Sequence, residues 1–484
     1  MRAACGPAST EQTPGALPAV AGFCRRLDIA GIINRAAPVR EIARATHWQV
    51  IEALIANRLT SPSPMVHVGA WARRLAVAHV LGLAPDVLND DRIARALDAL
   101  APVLEQVTGS VGAAAISRFG IEVSQIHWDM TSVSLHGAYE HPEEDYPQPK
   151  FGHPKDRRAD LKQIQAGVAT AADGAVPVFW QPYSGGAGEV CQVTGAMEAL
   201  RKLAGPRRFL LAGDSKLLSY ANIAAMTEAQ VSFLAPASKA FVPASVLAGC
   251  GYNAADPVDY TAGRDAGRPE ASRGRYHVAE DTMTITGPRK KDPSYTLRRV
   301  FVHSSASTDA AGRARARKLE QAAGDLDRLT RGLGSRHYPD AADITAAQVL
   351  ARYKNQPTAS ERRYHDLKGP LAVAPMFLHA NRRITAIIGV ICMALLIYSL
   401  IERQARRNLA PASRLDGLYA GRPAKPTASL ILTALATLRL RAGTDDRPPQ
   451  IPQPDPVQQQ LLNLLEIDPR KLADSPDLMC ELRV

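Results

Sequence analysis

At Ile121 the spacing of apolar residues changes, and that change limits the folds open to this chain more than any other feature. Upstream, VREIARATHWQVIEALIANRL, WARRLAVAHVLGL and DDRIARALDALAPVLEQV place apolar side chains three and four residues apart, the period of a helix face. Downstream, IEVSQIHWDMTSVSL alternates and is β-prone, and DLKQIQAGVAT and AVPVFWQPY read as two further strands. Asp173-Gly174 between those two is a strong tight-turn pair. After Gly188 come the helix EVCQVTGAMEALRKLA, the short apolar strand RRFLLAG, the helix SYANIAAMTEA and the strand VSFLAPA. The order β-β-β-α-β-α-β behind an all-α region predicts an α/β core.

Composition narrows the class further. Of 484 residues, 46% are hydrophobic and 22% charged, which excludes disordered, collagen-like and disulfide-dense secreted chains. The 58 Lys and Arg exceed the 47 Asp and Glu by enough to suit a polyanionic partner without demanding one. The six cysteines form no C-x-x-C pair and no His lies at zinc-ligand spacing, so a reducing cytoplasm is the expected compartment. The first residues lack the continuous apolar stretch of a signal peptide. The uncharged run Ile384–Ile401 is at the lower edge of bilayer-spanning length, but basic residues flank it on both sides, so a buried core helix is expected rather than a membrane anchor.

These textures divide the chain into six parts. Residues 1–25 are expected to be a flexible leader and 26–120 a helical N-terminal domain, a possible DNA-binding part. Within it Val39–Leu59 has the size of a helix-turn-helix but lacks a Gly turn and a basic face, so helices packing on one another is the plainer reading. Residues 121–237 form the first part of the core. Residues 238–352 are an insertion with two strands, YHVAEDTMTIT and YTLRRVFVHSS, and a charged helix around RARARKLEQAAGDLDRL. Helical patterning returns over 353–441, and 442–484 hold a Pro-rich linker and the short amphipathic tail VQQQLLNLLEI.

Two aspartates stand out against this background. Asp129 is embedded in the β-prone run IHWDMT, where aspartate is disfavoured and burial without a partner is expensive. Asp214 falls at the C-terminal end of the fourth strand, the edge where α/β sheets place ligands. By analogy of fold, the element order is RNase H-like, with strands one and four as neighbours, so the two carboxylates would face each other. A third acid on a later helix over that edge would complete an all-oxygen site of the kind Mg²⁺ or Mn²⁺ prefers. Each acid alone has a plainer reading: a salt-bridged strand residue, a helix cap, a solvated glutamate.

Four blocks carry a resemblance to a known family: HWDMTSVSLHG, GHPKDRRADLKQI, FLLAGDSKLLSYANI and YKNQPTASERRYHDLKGPLAVAPMF. Together they resemble bacterial insertion-sequence transposases of the DDE type, and more narrowly the insertion-sequence-four superfamily and its sixteen-thirty-four branch. The resemblance spans roughly residues 25 to 410. It implies an RNase H-like catalytic core with an all-α N-terminal domain and a β-containing insertion before a catalytic helix. It places the catalytic, metal-holding acids at Asp129, Asp214 and Glu361, with two Mg²⁺ or Mn²⁺ ions as cofactor. Tyr353 and Lys368 match residues that contact transposon-end DNA, and Glu361 and Lys368 share a helix face. The arginine expected between Tyr353 and Glu361 is missing, which leaves Arg362 and Arg363 as the substitutes, and Arg403–Arg407 is a further candidate for backbone contacts. The implied activity is metal-dependent strand cleavage at insertion-sequence ends and transfer of the 3′-OH into target DNA. The implied partners are double-stranded DNA and further copies of the chain, with no membrane, in a bacterial cytoplasm. A DNA-binding derivative that no longer cuts is the alternative.

Overall fold

The computed structural model describes residues 11–39, 43–140, 143–152, 158–250, 256–262, 265, 268–305, 338–340, 362–369, 371, 378–411, 413–441 and 454–468. The first helices are α1 (Leu17–Leu27), α2 (Ile29–Ala36), α3 (His47–Thr60), α4 (Val68–Arg74), α5 (Asp90–Leu100) and α6 (Leu104–Phe119). The core follows as β1 (Gln125–Leu135), β2 (Lys162–Ala171), β3 (Pro177–Ser184), α7 (Glu189–Ala204), β4 (Leu210–Ala212), α8 (Tyr220–Glu228) and β5 (Ser232–Leu234). Next are β6 (Asp256–Val258), β7 (Tyr276–Ile285), β8 (Tyr295–Ser304) and β9 (Tyr338–Asp340). Helices α9 (Arg362–Lys368), α10 (Asn381–Asn408), α11 (Ala428–Leu435) and α12 (Pro456–Leu464) close the chain. The protein is a mixed α/β chain with a mixed central sheet, and its core elements come in the order β-β-β-α-β-α-β.

Packing divides the chain into two compact units, one of residues 1–122, 130–187 and 361–484, the other of residues 123–129 and 188–360. The first is built around α10. Every residue from Ile384 to Ile401 is buried, and the helix packs against α3, α5 and β3. Its apolar run is therefore a core helix. Both ends are tied by charge. Arg382 and Arg383 donate to the Asp98 carboxylate at 2.7 and 2.8 Å, and Arg403 donates to Asp173 at 2.9 Å and to the Phe119 carbonyl at 3.0 Å. Gly389 is where Leu104 meets the helix backbone, and a Cβ there would collide with the leucine side chain. The β2–β3 hairpin pairs antiparallel around the Asp173-Gly174 turn, with Gly174 at φ +74° and Ala175 at φ +52°.

Several helix starts obey the chemistry of unpaired backbone N–H groups. Thr46 and Gln49 form a reciprocal capping box on α3, with bonds of 3.1 and 2.8 Å, and Asn89 caps α5 by accepting from Arg92 N at 2.9 Å. Helix α12 begins the same way with Asp455 and Gln458, and buries Leu461 and Leu462 in its own unit.

Two expectations are corrected here. The leader expected over residues 1–25 is helical from Leu17: Leu17, Val20, Phe23, Cys24 and Leu27 are buried, and the Phe23 ring stacks on Phe119 at 5.7 Å. Pro18 sits in the first turn, where its missing N–H costs nothing. The helix-turn-helix reading also fails within its described part. His47–Thr60 is one helix buried from Trp48 through Leu59, so no face is left for a DNA groove.

The second unit holds the start of β1, which pairs parallel with β4, and β4 pairs parallel with β5. A four-stranded antiparallel sheet, in the order β9-β8-β7-β6, comes from the insertion. Leu210 and Leu234 of the parallel strands share one buried cluster with Val278 and Val300 of the insertion hairpin. The expected strands at YHVAEDTMTIT and YTLRRVFVHSS are this hairpin, while the charged helix lies outside the described residues.

Glu52 makes a testable point. It is buried in α3, and burial raises its carboxyl from 4.5 to about 8, against the pull of Arg25. The folded chain then keeps a proton that the unfolded chain releases, so stability falls as pH rises through this window. The thermal midpoint of the wild type should drop between about pH 5 and pH 8 relative to Glu52→Gln, whose own profile should be flatter. Parallel profiles for the two proteins would contradict this.

Candidate active site

Asp129 and Asp214 both belong to the second unit, and strand register brings them together. In the β1–β4 pair, Gln125 lies beside Leu210, Ile126 beside Leu211 and His127 beside Ala212. Continued by two residues, that register sets Asp129 level with Asp214. Between them, a Cβ on Gly213 would stand 3.4 Å from the Trp128 carbonyl, and the Asp214 backbone is still extended at φ −81°, ψ −177°. Neighbouring strands are about 5 Å apart, and level residues of a parallel pair project from the same face. The carboxylates therefore emerge side by side at the C-terminal edge of β4, and both are half-buried.

Local structure explains how each is held. Met130 and Trp128 on either side of Asp129 are buried, which leaves the aspartate as the opening in that stretch of strand. Gly213 N donates to the Leu234 carbonyl at 3.0 Å, keeping the chain in the sheet one residue past β4. The Asp214 carboxylate then accepts from Lys216 N at 2.9 Å and caps a single turn of 3₁₀ helix, Ser215–Leu217. The helix-cap role weighed for Asp214 is thus real. It uses one lone pair of one oxygen and leaves the other carboxylate oxygen available.

Two further residues surround this pair, and the sequence reading missed both. Lys216 Nζ is ion-paired with Glu189, which opens α7 after the Gly188 cap. Burial opposes the charge of Lys216, but the bond to Glu189 and the charges of Glu189, Asp214 and Asp129 together raise its pKa. The ammonium thus lies in the field of all three carboxylates. The signal for Lys216 was in GDSKLL, two residues past Asp214. Nothing local marked Glu189, which resembles any acid in a first helical turn.

His127 lies two residues before Asp129 on the same face and is fully buried. Burial lowers its imidazole to about 4, so it is neutral at ordinary pH, and its Nε2 is 2.8 Å from Gln125 Nε2. It brings no positive charge to the acids.

The remaining expected site residues fare differently. Glu361 and Tyr353 lie outside the described residues. Arg362 opens α9 and Lys368, half-buried, ends it. Arg363 is expected to contact DNA, but its guanidinium is enclosed: it pairs with Asp366 at 2.9 Å, donates to the Ala175 and Gly174 carbonyls at 3.0 and 3.1 Å, and lies 3.7 Å from Glu402. Arg403 and Arg406 are also held within their unit, Arg403 by Asp173 and Arg406 by Glu402 and the Pro426 carbonyl. Among the described residues no cluster of three or more His, Cys, Asp or Glu is placed to hold a metal ion.

With this geometry established, the chain can be set beside known proteins. A family model described as a domain of unknown function, DUF4277, matches residues 11–105. No curated protein sequence matches. Solved structures that are similar include a cryo-EM structure of the piggyBac transposase synaptic complex with hairpin DNA, at 11% identity and TM-score 0.41, covering 96% of this chain and 84% of that one. The Mos1 transposase paired-end complex with its left transposon end is similar at 10% identity and TM-score 0.17, over 40% of this chain and 59% of that one. The Mos1 mariner paired-end complex with Mn gives 9% identity and TM-score 0.16, over 38% and 56%.

The enclosed arginine gives a prediction. Arg363→Ala leaves Asp366 and Glu402 buried with less positive charge, and should cost about 3–5 kcal/mol of unfolding free energy. Urea denaturation followed by circular dichroism measures this, and a loss below about 1 kcal/mol would place the guanidinium at the surface instead.

Proposed function

We propose that this chain is a DDE-type transposase with an RNase H-like catalytic core, related to the sixteen-thirty-four branch of the insertion-sequence-four superfamily. The observation that carries the reading is the parallel register setting Asp129 beside Asp214. Two carboxylates set side by side repel each other, and a shared cation would offset that repulsion. The donors fit a hard divalent cation, since they are carboxylate oxygens on fixed backbone and already gather positive charge from Lys216. Asp129, Asp214 and, by resemblance, Glu361 would hold Mg²⁺ or Mn²⁺. When bound, such ions lower the pKa of the attacking hydroxyl or water and neutralise charge on the leaving oxygen of a phosphodiester.

The protein's own share is positioning. Asp129 is anchored in the middle of β1 and Asp214 by its turn, so neither carboxylate needs to be ordered when substrate arrives. DNA is the substrate in this reading: a strand is cut at the element's end, and the freed 3′-OH attacks a target phosphodiester. Arg362, Lys368 and Tyr353 are the proposed backbone contacts near Glu361. Arg363 is left out because its donors are engaged internally. The chain would act as a homo-oligomer that brings two DNA ends together, in the bacterial cytoplasm.

The test uses oligonucleotides carrying the ends of the DNA element that encodes the chain. Asp129→Ala and Asp214→Ala should each abolish cleavage in Mg²⁺ while end binding stays measurable. Cutting retained by either variant would remove that residue from the site. Wild-type binding that cuts neither end would instead favour a DNA-binding derivative. Affinity should also fall steeply with salt, by about 0.9 log units per phosphate contact for each tenfold rise. A flat salt response would argue against a phosphate-backbone interface.

A further inference from the structure

We propose that Lys216 is a built-in counter-ion of the Asp129–Asp214 pair, occupying their field in the metal-free chain and yielding when a divalent cation binds. The inference rests on the reading of these two aspartates as metal-holding acids. It adds a residue that sets how tightly the ion is held.

Like charges level on neighbouring strands destabilise a sheet, so two half-buried carboxylates need positive charge nearby when no metal is present. Lys216 is tethered to the pair, because its own backbone N–H donates to the Asp214 carboxylate at 2.9 Å. Its ammonium is held by Glu189, the first residue of α7, so one positive charge offsets part of the negative charge of three carboxylates.

The accessibility of the two partners differs in the way a displaceable cation requires. The Lys216 side chain is 48% exposed and can swing into solvent without opening the core, whereas Glu189 is 18% exposed and stays on the helix. A divalent ion drawn to Asp129 and Asp214 would repel the ammonium and must displace it or tolerate it. Lys216 therefore competes with the metal, and its removal should tighten metal binding.

The experiment titrates the full-length chain with MnCl₂ in the absence of DNA, reading free Mn²⁺ by electron paramagnetic resonance. Lys216→Met should bind Mn²⁺ about tenfold more tightly than the wild type, while Lys216→Arg, which keeps the charge, should behave like it. Asp129→Asn serves as the reference and should lose that binding. If Asp129→Asn loses it but Lys216→Met gains nothing, the counter-ion role is overturned and the metal reading stands. If Asp129→Asn binds as the wild type does, the metal reading itself is overturned. A second measurement needs no variant: acylation of wild-type lysines, mapped by mass spectrometry, should show Lys216 more reactive with Mg²⁺ than without. Unchanged reactivity of Lys216 would also overturn the proposal.

Discussion

The parallel pairing of β1 with β4 is the constraint on which the site depends. Parallel strands need a crossover connection, and here the chain between them forms two antiparallel strands and a helix before it returns. A slip of one residue in that pairing would turn one aspartate to the opposite face. The hydrophobic pattern guards against the slip. Leu210, Leu211 and Ala212 are all buried, so a slip of β4 would exchange large and small side chains in a closely packed interior. The catalytic geometry proposed for the acids is thus maintained by apolar side chains that take no part in the chemistry.

The first unit shows the complementary use of charge. Apolar burial along α10 is strong but non-directional. The arginines at its ends supply direction. Arg382 and Arg383 meet one carboxylate, Asp98, and Arg403 meets Asp173 in the hairpin turn while also bonding the Phe119 carbonyl. Each contact works only at one axial position of the helix. Partly exposed ion pairs like these contribute little net stability, so they are better understood as fixing register.

Much of this was legible in the sequence, for a physical reason in each case. Strands were visible because alternation has a period no helix shares, and Asp129 was visible because aspartate is disfavoured in a β-prone run. The core helix at Ile384–Ile401 was visible because its flanking charges lacked the bias of a membrane anchor. Helix α1 was hidden because Ala, Gly and Pro dilute its periodicity, and its burial comes from tertiary contacts such as Phe23 on Phe119. Arg363 and Arg403 looked like surface charge because the groups that enclose them include ones far away in sequence. Asp173 lies 230 residues before Arg403, and the carbonyls bonded by Arg363 are as remote. Glu189 was hidden for the same reason, since its meaning comes from Lys216, which is 27 residues away.

The fate of the arginines also changes how the net charge is to be understood. A formal excess of +11 suggests a basic surface, yet several of the most suggestive arginines are committed internally. In the insertion hairpin Arg298 and Arg299 pair with Glu280 and Asp281 across the strands. What remains for an anionic partner is therefore a smaller and different set of side chains than composition indicates. At the acidic edge carboxylates gather instead, and Asp129, Asp214 and Glu189 all act on the Lys216 ammonium. A polyanion approaching that edge meets negative charge, and in the reading proposed above a metal ion held by the acids would offset it.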